Sequence, residues 1–277
     1  MEKEFLHQEL EVAQAGADIK ENTGWRRAGR IFATSIFAFS ILLTISAVVF
    51  TVVFFISEVE GASMMLTLNP TYKENPKAKD HVLVNRYSTP KPGDVIVVRH
   101  YWQPWQEQYK KNKMEYFVKR LIAVEGQRVR FNKYGEFPID TYKTVVDDIE
   151  IAEPYLDGFW GKMTGYGRRI YDYLEKNNDK GFASTALVPF HDRCVFQNSE
   201  TGKWEIVVPK GEIFFMGDQR GFDDPIIRPS YDCTSFGPQP AEYVEGVSVD
   251  TIRSDVTMPQ YVWSKIQEFF SFKWLFG

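Results

Sequence analysis

Residues 31–56 carry no charged side chain, and apolar positions dominate the run. A helix of that length rises ~1.5 Å per residue and crosses a ~30 Å hydrocarbon core with some tilt. Buried core helices of soluble domains seldom run so far without a polar face. The pattern therefore predicts one transmembrane helix over 31–56. It is too long for the apolar core of a cleaved secretory signal, it starts deep in the chain, and no small-x-small site follows, so it reads as an uncleaved anchor.

After the span the periodicity changes to that of short strands. His81–Tyr87, Asp94–Val98, Tyr116–Val124, Arg128–Phe131, Glu205–Val208 and Glu212–Met216 are rich in β-branched and aromatic residues. Pro92-Gly93, Glu125-Gly126 and Pro209-Lys210-Gly211 separate them as turns. Short strands punctuated by Gly and Pro predict a mainly β domain, an antiparallel barrel or sandwich, over 57–258. A charged, partly helical stretch at about 160–190 breaks the rhythm and reads as an insertion. Residues 1–30 mix acids, bases and scattered apolar positions, and fit a short surface helix or a disordered cytosolic tail. Residues 259–277 interleave Trp263, Phe269, Phe270, Phe272, Trp274, Leu275 and Phe276 with Lys265 and Lys273. That segment is too short and too charged to span. It fits the lipid headgroup interface or packing on the β domain.

Charge settles the expected orientation. Arg26, Arg27 and Arg30 precede the span, whereas Glu58 and Glu60 follow it, which predicts a cytoplasmic N-terminus and an extracytoplasmic domain. A net charge of -4, with only isolated basic pairs, argues against nucleic acid as a partner. Cys194 and Cys233 form no C-x-x-C or Cys/His cluster, so no metal site is expected. In an oxidising compartment the two could pair, and spacing alone leaves that open.

Chemistry is sought first among the histidines, but His7, His81, His100 and His191 lie in no triad or metal-binding context. A serine nucleophile here needs another base, and a lysine kept neutral by burial can serve. Gly61-Ala62-Ser63-Met64-Met65-Leu66-Thr67-Leu68 closely follows the span, and Tyr116–Val124 is an apolar strand holding two cations. Alternation puts Lys119 with Phe117, Leu121 and Ala123, and Arg120 with Tyr116, Val118, Ile122 and Val124. Both faces are apolar, so one cation must point into an apolar neighbourhood. Periodicity does not say which. Lysine is the cheaper to bury because it can give up its proton.

These segments resemble the boxes of bacterial type I signal peptidases, the S26 family. The likeness runs through Gly-x-Ser-Met-x-x-Thr-Leu, Lys91–Val97, Tyr-Phe-Val-Lys-Arg-Leu-Ile-Ala, Glu153–Leu156, Val208–Arg220 and Ser230–Gly237, in family order. It implies that Ser63 is the nucleophile, Lys119 the general base, and Ser230 the hydroxyl that orients the lysine. Asp218, Arg220 and Asp232 match positions that brace the site by ion pairing. Gly61 stands where some relatives carry a serine at the oxyanion hole, which leaves the Ser63 N–H as the donor to name. Met64 fits the substrate groove, a lipid surface or the core. Leu66, Gln127, Gln219 and Thr234 depart from the usual proline, aspartate, asparagine and arginine, and extra residues including Asp223-Asp224-Pro225 precede Ser230.

The resemblance further implies a bacterial cytoplasmic-membrane endopeptidase that removes signal peptides from exported preproteins, with small residues at positions -1 and -3 in shallow pockets. No cofactor is implied. The alternatives are an inactive relative that scaffolds envelope proteins and a peptidase dedicated to a narrow substrate set.

Overall fold

The computed structural model describes residues 2–65, 67–101, 114–135, 141–156, 171–172, 174–175, 193–220 and 230–270, with side chains from residue 24 to 268. Leu66, Asp223-Asp224-Pro225, most of the expected insertion and residues 271–277 of the aromatic terminus lie outside the described residues. The chain divides into two units, Met1–Val53 and Phe54–Gly277.

The first unit is one helix, α1 (Glu2–Val53), so the polar tail and the apolar run form one continuous element. Its stretch Gly24–Val53 is long and apolar enough to cross a membrane, and the side chains from Ile31 to Val52 are exposed. The hydroxyls within it bond back along the helix: Thr34 to the Arg30 carbonyl at 2.7 Å, Thr44 to Ser40 at 2.9 Å, Ser46 to Leu42 at 2.8 Å. Satisfied this way, they are cheap to place in hydrocarbon. The helix stops at Val53. Phe54, Phe55 and Ile56, expected at the end of the span, instead begin strand β1 (Phe54–Glu58), because each finds a backbone partner in β2 (His81–Asn85).

The second unit is antiparallel β, as the strand pattern predicted. In chain order the further strands are β3 (Val95–Tyr101), β4 (Met114–Val124), β5 (Arg128–Tyr134), β6 (Thr141–Val146), β7 (Ile149–Glu150), β8 (Val195–Gln197), β9 (Trp204–Val207), β10 (Glu212–Met216), β11 (Gln239–Pro240) and β12 (Val244–Ile252). They form a seven-stranded sheet, β1-β2-β12-β3-β4-β10-β11, and a five-stranded sheet, β7-β6-β5-β9-β8. Gly126 ties the sheets where β4 turns into β5, its N–H donating to the Val208 carbonyl at 2.8 Å. The larger apolar cluster includes Ile96, Leu121, Ile122, Phe131, Ile206, Phe214 and Phe215. Leu174, from the insertion, is buried in it, and Tyr171 packs its ring on Tyr142 at 5.0 Å. Cys194 and Cys233 lie in the same cluster as thiols and form no disulfide.

The described residues of the unit also include the helices α2 (Cys233–Phe236) and α3 (Met258–Phe270). On α3, Tyr261 and Lys265 reach Asp250 of β12 at 2.9 and 2.7 Å. Met258, Val262, Trp263 and Ile266 stay exposed. The helix thus turns polar groups to the sheet and leaves apolar ones uncovered.

Candidate active site

The turn after β1 carries Ser63 between buried anchors. Met64 and Leu68 are each 1% exposed, in a second apolar cluster with Val59, Val82, Val84, Val97 and Val118. Burying such side chains contributes about 1.5–3 kcal/mol each, which pins the turn to the sheet. Of the three places open to Met64, the structure selects the core. Gly61, at φ +76°, opens the turn in a conformation that favours glycine.

Lys119 lies mid-way along β4, opposite Ile96 of β3, and donates from Nζ to Ser63 Oγ at 2.7 Å. It is 3% exposed. Burial pulls its pKa down to about 8, and the charges of Asp232 and Asp218 only partly oppose this. Ser63 itself is half-buried. One face of β4 therefore holds a desolvated amine against a hydroxyl.

Arg120, on the opposite face, is buried as well. Its guanidinium grips Asp218 twice, at 3.0 and 2.7 Å, donates to the Gly93 carbonyl at 2.7 Å and lies 3.7 Å above the Tyr155 ring. Thr67, four residues after Ser63, donates its hydroxyl to the same Asp218 carboxylate. Both cations of the strand are thus buried by different routes. Arginine keeps its charge through a bidentate partner, whereas the lysine sits beside a hydroxyl and releases its proton readily.

The chain beyond β10 lines the other side of Ser63. Gln219 donates its N–H to the Ser63 carbonyl at 3.0 Å, and Ser230 donates its N–H to the Gln219 carbonyl at 3.0 Å. A side chain at Gly217 would meet Ser230 Oγ at 2.2 Å and the Ser63 carbonyl at 2.4 Å, so only glycine permits this approach. Asp232 accepts the Gly217 N–H at 2.8 Å and caps α2 through Thr234, whose N–H and hydroxyl donate at 3.0 and 2.7 Å.

The family model described as signal peptidase, peptidase S26 matches residues 32–251. The chain belongs to the peptidase S26 family of signal peptidases. No curated protein matches the sequence significantly. Peptidase S26 membership supplies the general activity, peptide-bond cleavage, and the substrate class, preproteins bearing signal peptides.

The residues expected from the resemblance are all within this region, but their partners differ in part. Ser63 and Lys119 are in direct contact. Asp218 forms its ion pair with Arg120, while Arg220 pairs with Glu153, donates to the Gly217 carbonyl at 3.0 Å and reaches Thr144 at 3.1 Å. Asp232 braces through the hydrogen bonds to Gly217 and Thr234 and forms no ion pair among the described residues. The Ser230 hydroxyl is buried without a hydrogen bond among the described residues, where the resemblance implies one to Lys119. Sequence reasoning left His100 unassigned. It is buried beside Lys119, stacked on Phe117 and Phe236 with centroids at 4.7 and 4.6 Å. Burial first, and then the Lys119 charge, lowers its pKa to about 4, so it is neutral wherever Lys119 titrates. Only an apolar alternation around position 100 could have flagged that burial.

Proposed function

We propose that the chain is a membrane-anchored serine endopeptidase that removes signal peptides from preproteins, with Ser63 as nucleophile and Lys119 as general base. The observation that carries this is the 2.7 Å contact between Lys119 Nζ and Ser63 Oγ, made by a lysine whose burial keeps its pKa near 8. When Lys119 is neutral, its lone pair takes the Ser63 proton as Oγ attacks the scissile carbonyl. The tetrahedral oxyanion is met by the Ser63 N–H. Collapse expels the mature protein's new N-terminus, protonated by Lys119, and water, activated by the same amine, hydrolyses the acyl-enzyme. The buried Ser230 hydroxyl, without a hydrogen-bond partner among the described residues, supports a role in orienting Lys119 during turnover. Asp218, Arg220 and Asp232 hold the walls of the site, and no cofactor takes part. An inactive scaffold gives no reason for burying a lysine against a serine, whereas a general base requires it. That contact favours the enzyme.

Purified full-length protein in lipid nanodiscs is expected to cut a model preprotein at its signal-peptide junction. Intact preprotein after prolonged incubation, with the enzyme folded by circular dichroism, would sink the reading.

The anchor Gly24–Val53, with Arg26, Arg27 and Arg30 before its apolar run, supports a cytoplasmic N-terminus in a bacterial membrane and an extracytoplasmic peptidase domain. The exposed apolar side of α3 suits the lipid headgroup layer. Protease added to intact spheroplasts is expected to digest the chain beyond residue 60 and spare the anchor. Full protection of that region overturns the orientation.

A further inference from the structure

Six residues past Ser63, Asn69 is buried to 1% exposure with φ at +54°. A non-glycine residue in the left-handed region persists where its surroundings over-determine it. Here the surroundings are a closed set of hydrogen bonds. Its Nδ2 donates to the Val59 carbonyl at 2.8 Å and to the Gly61 carbonyl at 3.1 Å. Its Oδ1 accepts the Asp80 N–H at 2.6 Å, and its own N–H donates to Asp80 Oδ2 at 2.8 Å. Two carbonyls on one end and an N–H on the other permit only this amide orientation.

Asp80, 1% exposed, extends the network. It accepts Arg253 Nη1 at 2.8 Å and the Ser254 N–H at 2.9 Å, and the same Nη1 donates to the Thr67 carbonyl at 3.0 Å. The nucleophile turn is therefore held before Ser63, at Val59 and Gly61, and after it, at Thr67. Met64 and Leu68 fasten its middle to the core. A fully satisfied buried polar network is rigid, because any displacement strands a donor or acceptor.

We propose that Asn69 is a positioning residue for catalysis: its side-chain amide clamps the chain entering the turn and keeps Ser63 Oγ within reach of Lys119. The proposal rests on Ser63 and Lys119 acting as nucleophile and base. Asn69 makes no hydrogen bond to either of them, so it governs placement and leaves the titration of the base alone. A reacting group misplaced by ~1 Å loses on the order of 100-fold in rate.

Asn69→Gly tests this directly, since glycine accepts φ +54° and removes only the side chain. In nanodiscs, kcat against a model preprotein is expected to fall about 30- to 100-fold, with the midpoint of the pH profile unmoved. Val129→Ala is the control, a cavity in the larger apolar cluster that weakens the fold and leaves the clamp and the anchors Met64 and Leu68 intact; it should keep kcat within about threefold. Arg253→Gln, at an exposed position, is the second variant should Asn69→Gly fail to fold: it loosens the Thr67 end and takes the cation from Asp80, and leaves the Asn69 amide in place. It should lose about three- to tenfold in kcat at an unchanged pH midpoint. Wild-type kcat in folded Asn69→Gly overturns the proposal. So does wild-type kcat in Arg253→Gln, a moved pH midpoint, or a loss in Val129→Ala equal to that in Asn69→Gly. Activity surviving in Ser63→Ala would instead strike the reading beneath it, so the two failures are distinct.

Discussion

Ser63→Ala is expected to abolish preprotein cleavage and to leave the fold in place. Among the described residues the hydroxyl it removes makes one side-chain hydrogen bond, from Lys119, and sits half-buried in a turn whose anchors, Met64 and Leu68, are untouched. Losing that bond costs about 1 kcal/mol, partly recovered because Lys119 can remain neutral. Catalysis has no such margin. Without a nucleophile no acyl-enzyme forms, and what remains is the effect of binding and the oxyanion donor. Losses on the order of 10⁴-fold or more are usual when a serine hydrolase loses its nucleophile. Turnover of preprotein, followed by gel at matched enzyme concentrations, measures this, and circular dichroism checks the fold. A rate within tenfold of the parent assigns the nucleophile elsewhere.

Lys119 controls the second large effect. With its pKa near 8, the fraction of neutral amine rises about tenfold per pH unit below that value and levels off above it. The kcat/KM profile should therefore climb from acid to alkaline pH with one midpoint near 8. His100, held near 4, adds no second limb in that range. Lys119→Arg should be inactive at every accessible pH, since guanidinium does not deprotonate. The same shift makes a prediction about stability. The folded pKa lies below the unfolded value of 10.5, so between pH 8 and 10.5 the unfolded chain binds the extra proton and stability rises with pH. Below pH 8 the native state carries the full penalty, on the order of 3 kcal/mol. Lys119→Met should remove both the activity and that penalty, melting higher than the parent at pH 7 and losing its advantage as pH rises from 8 to 10.5. A pH-independent kcat/KM, or a Lys119→Met variant that melts lower at pH 7 and keeps its activity, would assign the base to another group.

Much of the architecture was already readable along the chain. The charge-free run and its arginine flank mark a membrane-length helix because hydrocarbon excludes charge regardless of what packs nearby. The strand runs that became β2, β3, β4, β5, β9 and β10 were legible because their apolar residues are contiguous and end at Gly or Pro. The boxes around Ser63 and Lys119 were legible because residue type and order survive without any knowledge of contacts. By contrast β12, central in its sheet between β2 and β3, escaped notice. Its run includes Glu245, Gly246 and Asp250, and its register slips against both neighbours. Gly246 is what lets it fit: a side chain there would meet the Asn85 carbonyl at 2.4 Å.

Sequence by itself determined where the chain is apolar, where it turns and which reactive side chains it carries, because those follow from each residue and its near neighbours. Tertiary structure alone decided partnership. Alternation put Lys119 and Arg120 on opposite faces, but only the fold set Ser63 against the first and the Asp218 carboxylate against the second. The same holds for Arg220 with Glu153, for the neutral His100, and for Asn69, an unremarkable polar residue in sequence that ties together Val59, Gly61 and Asp80. A pKa, an ion pair or a clamp depends on what lies across a few ångströms of space, and Lys119 with Ser63, 56 positions apart, or Arg253 with Asp80, 173 apart, meet at that distance only after the sheets have formed.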